Sequence, residues 1–345
     1  MLLHSLQDLT AYLTQMIQGE PGVFIGPISM VLGAIINFFY FLWTSVFSTP
    51  VGALGFSIIM ITIIVRTAML PSSFSLIRNS MKMRAIKPEM DKINEKYGNS
   101  RDPEVRRKKT MELQALNSKH GISMLSSCLP MLITWPLFMA LFAVLNQAFL
   151  FVGNVGDVYS DLSYALIDLG PGYLTDVILP LALQRNPQGL TIDLLYAADM
   201  NRLIHVFSPE VWESVISQAP VHAQANLQYL LETKNTVLSF AGLNLVTAAG
   251  WAWPGVILPV LSAGTMLLSQ YLTTRTNPAT DQQQRTMQKI TMVIFPVMFG
   301  FFTASAPAGV GVYWVMLNLY MIVQHNFIVR YYAKKDANAA DKAAA

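Results

Sequence analysis

One cysteine, Cys128, occurs in 345 residues, which excludes an intramolecular disulfide framework and a cysteine metal site. Charge is scarce too. Asp, Glu, Lys and Arg make up 12% of the chain, against roughly a quarter in soluble domains. The first 24 residues contain neither Lys nor Arg, so the basic start of an ordinary signal peptide is not expected there. His4, His120, His205, His222 and His325 show no metal-ligand spacing, and neither an HExxH sequence nor a phosphate-binding loop occurs. Nucleophilic catalysis needs a base beside a buried nucleophile; Cys128 with His120 is the only such pair close in sequence. These absences argue against an enzyme and against any metal or cofactor.

What the chain has is apolar length. Hydrophobic residues make up 53% and gather in blocks, so the expected class is an all-α polytopic membrane protein. A helix needs about 20 apolar residues to cross the hydrocarbon, and five blocks serve as spans: 51–71, 125–150, 251–272, 290–306 and 307–329. The fourth is short and meets the fifth at Pro307–Ala308–Gly309, so the two are expected to form a tight hairpin. Pro130, Pro136, Pro259 and Pro296 fall inside spans, where neighbouring helices or water re-satisfy the freed carbonyls. Residues 25–47, with Phe38, Phe39, Tyr40, Phe41 and Trp43, are read as an interfacial helix, a sixth span being the alternative.

Basic residues are unevenly distributed. Of 23 Lys and Arg, twelve lie in 72–124, three in 273–289 and four in 330–345, whereas 151–250 holds only Arg185, Arg202 and Lys234 against nine acids. Lys and Arg collect on the cytoplasmic side. The expected topology therefore has 1–50 and 151–250 outside, with 72–124, 273–289 and a short tail, 330–345, in the cytoplasm.

Within 72–124, Met83, Ile86, Met90, Ile93 and Tyr97 are spaced alternately by three and four, the seam of a coiled coil. Pro88 must kink that helix or restart it at a first-turn position. Gly98–Asn99–Ser100–Arg101–Asp102–Pro103 signals a turn, and a second helix is expected from about 103 to 119. This helical hairpin has two readings. It is a solvated element serving solubility and topology, or a docking arm for a ribosome, targeting factor or nascent chain, with Met81, Met83 and Met90 as adaptable contacts. In the outer stretch, Asp168, Gly170–Pro171–Gly172 and Asp176 interrupt a run that would otherwise resemble a span, and Ser208–Pro209–Glu210 marks a helix start. The expectation there is a small helical cap without a catalytic constellation.

Arg66 breaks the aliphatic run SIIMITIIVRTAML, 57–70, where every neighbour within four positions is apolar except Thr62 and Thr67. Near a bilayer centre an arginine costs about 2.5–3.5 kcal/mol on insertion scales. Either it snorkels to the interface or it faces a polar cavity. Thr62 shares its helix face, and Thr134, Asn146, Gln147, Asn318 and Gln324 are uncharged polar groups on other spans that could line the same cavity. No Asp or Glu lies in the five spans, so a carboxylate proton relay is not expected. The partner of the arginine would be water, anionic lipid or a group that arrives.

Taken in order, several segments resemble a known family. GFSIIMITIIVRTAMLP, MKMRAIKPEMDKINEKYG, SSCLPMLITWPLF, AGLNL and PAGVGVYWVMLNLYMIVQ, over about 25–150 and 240–330, are similar to the core of the YidC/Oxa/Albino membrane-protein insertases, in their bacterial, Gram-positive-like form. The resemblance implies five helices around a hydrophilic groove, open to cytoplasm and lipid but closed outside, working without nucleotide hydrolysis or a cofactor. It places Arg66 and Thr62 in the groove, Tyr313 and Trp314 on the facing fifth span, and Thr134, Asn318 and Gln324 along the lining. Thr134 stands where many relatives have glutamine, and the outer insertion is not part of the common core. The implied function is to receive nascent membrane proteins from the cytoplasm and release them into the bilayer, in the plasma (inner) membrane of a bacterium. Implied partners are the ribosome or targeting machinery, membrane lipids and the Sec translocon, with no sequence-specific nucleic-acid binding. Two rival readings of the residues are an anion or solute transporter using Arg66 as its substrate site, for which no internal repeat is visible, and a structural partner of the Sec translocon.

Overall fold

The computed structural model describes residues 25–98, 102–122, 125–185, 194–276 and 282–344. Among these the only strands form a two-residue antiparallel hairpin, Ser239–Phe240 with Leu243–Asn244; the regular structure is otherwise helical. The basic-free first 24 residues, the turn at 99–101 and the Cys128 side chain lie outside the described residues. The chain sorts into two compact units, one comprising Met1–Ile58 and Met139–Thr247, the other Ile59–Phe138 and Ala248–Ala345.

The Arg66 helix, Ala53–Ala68, which enters the second unit at Ile59, gives way to Leu70–Ala85 through a bend of 57°. Pro71 lies in the first turn of the following helix, where its missing N–H is harmless but an uninterrupted helix would lose a bond. Pro88 restarts the chain in the same way at Lys87–Tyr97. Gly98 ends that helix at φ 55°, a conformation glycine adopts without strain. Asp102 caps Pro103–Lys119 by accepting the Glu104 N–H at 2.9 Å. The resulting hairpin has its own small core. Ile86, Met90 and Ile122 are buried in it, with Met83, Leu113 and Leu116 packed alongside, and Lys96 pairs with Glu112 at 2.9 Å on the surface.

Ile257–Thr276, Gln282–Ser305 and Ala308–Ala344 pack together in the same unit. The first of these begins at Ile257, later than its apolar block. The N–H groups of Ala249 and Gly250 donate to the carbonyls of Ala306 and Ala304, at 3.2 and 2.8 Å. Small residues set how closely the helices approach. A Cβ on Gly311 would stand 2.8 Å from Thr303 Cγ2, and Thr303 Oγ1 donates to Ser262 Oγ at 3.2 Å inside that seam.

The first unit is organised around Gly153–Ile167, whose Val155, Tyr159, Leu162 and Leu166 are fully buried at the spacing of one helix face. The chain then turns by 101° into the helix that starts at Pro171, with Gly170 at φ 91°; the Gly–Pro–Gly interruption acts as expected. Ala197–His205, Pro209–Gln218 and Val221–Val237 are further helices of this unit. Ile25–Phe47 belongs to this unit and packs on the short helix Ala148–Phe151. Gly33 leaves room for Phe151, and Asn37 Oδ1 accepts the Gly153 N–H at 3.0 Å.

By length and composition Gly26–Phe47, Thr286–Ser305 and Ala308–Lys335 can each cross a bilayer, and the two bent pairs, Ala53–Ala68 with Leu70–Ala85 and Gly153–Ile167 with Pro171–Leu183, bring the candidates to five at most. The expected second span is helical over Leu125–Asn146. The protein is thus an all-α polytopic membrane protein.

Candidate functional site

Arg66 occupies the last turn of its helix and is partly buried. Thr62, one turn earlier, is 2% exposed. Tyr313 and Tyr320, both on the Ala308–Ala344 helix, lie within electrostatic reach of the guanidinium. Their spacing of seven keeps them on one helix face. Thr67 and the Tyr320 hydroxyl share a hydrogen bond of 2.9 Å, which ties the arginine's turn to that face. Among the described residues no carboxylate pairs with Arg66. A guanidinium cannot shed its proton near neutral pH, so it stays a cation among hydroxyls and rings.

The other sequence-expected residues distribute as follows. Trp314 belongs to an aromatic cluster, with ring centroids 4.9 Å from Phe138, 4.7 Å from Phe299 and 5.4 Å from Tyr313. Its buried Nε1 has no hydrogen-bond partner among the described residues. Asn318 is buried and donates to Thr265 Oγ1 at 3.4 Å. Gln324 is also buried, and stands one turn beyond Tyr320 on the same face. Thr134 is half-buried on Leu125–Asn146. In the helical hairpin of 72–124, Met90 is 5% exposed and Met83 packs against the same cluster, so these two side chains serve the hairpin's own core, while Met81 is half-buried. Sequence reasoning missed Thr67, Thr265 and Tyr320. The signal for Tyr320 was available in its spacing from Tyr313; that for Thr265 was not, because its partner lies 53 residues away.

The apolar helices define an integral membrane protein of the all-α class. The profile of the family described as 60Kd inner membrane protein matches residues 46–336, and the chain belongs to that family. It is similar to the membrane protein insertase YidC of Streptomyces avermitilis, 26% identical over 307 residues, or 88% of this chain and 58% of that protein. The membrane protein insertase MisCA of Bacillus subtilis is 33% identical over 131 residues, 37% of this chain and 47% of its own length. A YidC from Clostridium tetani is 28% identical over 178 residues, 49% of this chain and 75% of its own length. The chain therefore spans roughly half the length of the first two relatives.

Proposed function

We propose that the chain is a membrane-protein insertase, which receives hydrophobic segments of nascent proteins from the cytoplasm at a groove containing Arg66 and releases them into lipid. The observation that carries this reading is a cation beside Tyr313 and Tyr320 with no carboxylate partner among the described residues, in a family whose members include proteins named insertase. At an effective dielectric near ~20 a charge pair ~4 Å apart is worth roughly 4 kcal/mol before desolvation. That is comparable to the cost of placing the arginine in the membrane. Such a balance holds an acidic or polar tail transiently without trapping it. Thr62, Thr134, Asn318 and Gln324 supply uncharged hydrogen-bonding groups, and Trp314 an aromatic wall. The substrate's apolar part then leaves between the Arg66 helix and Ala308–Ala344.

The basic-residue bias supports a plasma-membrane orientation with the N-terminus outside and the C-terminus in the cytoplasm. The hairpin of 72–124 then faces the ribosome or targeting machinery, and the Sec translocon is a further partner for test. Expression in bacteria depleted of their own insertase, with insertion of a small membrane protein as readout, tests the proposal. Restored insertion is the expected result; failure at normal protein levels overturns it.

A further inference from the structure

Lys234, on the helix Val221–Val237, is 5% exposed. Its ammonium lies 4.9 Å from the centroid of the Trp212 ring and 5.5 Å from that of Tyr159. Among the described residues it has neither a hydrogen-bond acceptor nor a carboxylate partner. Two ring faces attract an ammonium but supply none of the acceptors that water provides. Burial accordingly lowers the lysine to a pKa of about 8, which leaves it mostly charged at pH 7.

The same lysine lines a cleft of about 390 Å³, within the roughly 300–1,000 Å³ of small-molecule sites. Phe207, Pro209, Ile216, Leu231 and Val246 give the cleft apolar walls, and the side-chain amides of Asn235 and Asn244 are among its polar lining, whereas that of Gln228 donates to Glu232 Oε1 at 2.9 Å. His205 also lines it and shares a hydrogen bond of 2.9 Å with the Tyr159 hydroxyl. Burial and the neighbouring Lys234 charge lower His205 to about 4, so the imidazole is neutral at pH 7. Glu213 is the carboxylate in the lining, beyond ion-pair distance of Lys234.

We propose that this cleft binds a monoanionic carboxylate attached to an apolar group, with Lys234 as its charge partner. One buried cation matches one negative charge, and Glu213 in the same lining disfavours phosphates and other dianions. The apolar walls accept the body of the ligand and the amides can bond the carboxylate's remaining lone pairs. Two sources share this chemistry, a free organic acid and an acidic side chain beside an aromatic residue in a peptide. The site is independent of the insertion groove and does not rest on that reading.

Calorimetric titration of the full chain in lipid nanodiscs tests it with three probes. They are 3-phenylpropionate, its neutral amide, and a Phe-Asp dipeptide capped at both ends so that its only carboxylate is the Asp side chain. The expected result is binding of 3-phenylpropionate at pH 7 that weakens above pH 8, with the amide bound about tenfold or more weakly. Lys234→Met should abolish binding while the protein remains folded. Glu213→Gln, which leaves the lysine in place, should tighten it. Binding of the dipeptide as well assigns the site to exposed acidic segments; binding of the free acid alone assigns it to small molecules. Equal binding of acid and amide, equal binding by the Lys234→Met variant, or no binding of either carboxylate overturns the proposal. In the last case Lys234 is a structural cation held over two rings.

Discussion

A lone arginine in an apolar helix is retained only if something offsets its cost, and the candidates differ in what they require of the side chain. Transient attraction of an incoming carboxylate requires charge, so Arg66→Lys should keep more insertion activity than Arg66→Ala, with Arg66→Glu the lowest. Substrates with acidic tails should lose most, and neutralising those acids should narrow the gap between variants. Equal loss in all three variants at normal protein levels would instead mean that a specific guanidinium contact holds the helices. The buried His205 gives a second residue-scale prediction. Its folded pKa of about 4 lies below the ordinary 6.5, so the unfolded chain binds the extra proton between those values. The stabilisation is complete above pH 6.5 and declines as pH falls toward 4, by at most about 3 kcal/mol. The denaturant midpoint of a single-tryptophan variant retaining Trp212 should follow that decline, and His205→Gln should flatten it. An unchanged profile in the variant would show that another group titrates.

Helix boundaries follow from local chemistry, and most were legible. Pro88 starts a helix, Ser208–Pro209 starts another, and Gly170–Pro171 separates two, because proline removes a donor and glycine accepts a positive φ whatever the surroundings. The heptad seam within 72–124 was legible in part from its spacing: Met83, Ile86 and Met90 pack in the hairpin's core, while Ile93 and Tyr97 are only half-buried. The seam could not say whether its methionines face a partner or one another, since both outcomes share one periodicity. Close packing between helices is where substitution should be felt most. Gly311→Leu forces a side chain into Thr303 and Leu258, and overpacking of this kind typically costs about 1–3 kcal/mol. The variant should show a lower melting temperature in detergent, whereas Gly264→Ala, where an added Cβ meets open space, should not. Equal melting of both variants would mean that the helices move apart at little cost.

For the whole molecule, the charge distribution makes a topological statement that labelling can read. Cysteines introduced at positions 100 and 280 should react with an impermeant reagent only from the cytoplasm, and those at 190 and 215 only from outside. Labelling of position 100 from outside would invert the orientation and with it the direction of the proposed insertion. The two-unit organisation was not legible. Ile25–Phe47 was read as an interfacial helix separate from the outer insertion, yet both fall in one unit, joined through Phe151 and the Asn37–Gly153 hydrogen bond. Glycine at 33 and asparagine at 37 carry no local mark of a partner more than a hundred residues away.

The sequence by itself determined the all-α membrane class, the helix starts at Pro88 and Pro209 and the anomaly of Arg66. Each of these follows from transfer free energies or the local chemistry of proline, which belong to a residue and its near neighbours. Only the tertiary structure decided that Tyr320 bonds Thr67, that Met90 turns inward, and that Lys234 is buried between Trp212 and Tyr159. On the sequence Lys234 was one of three basic residues in an acidic stretch. Its burial depends on helices that begin far from it in the chain, and no window short enough to show periodicity contains them.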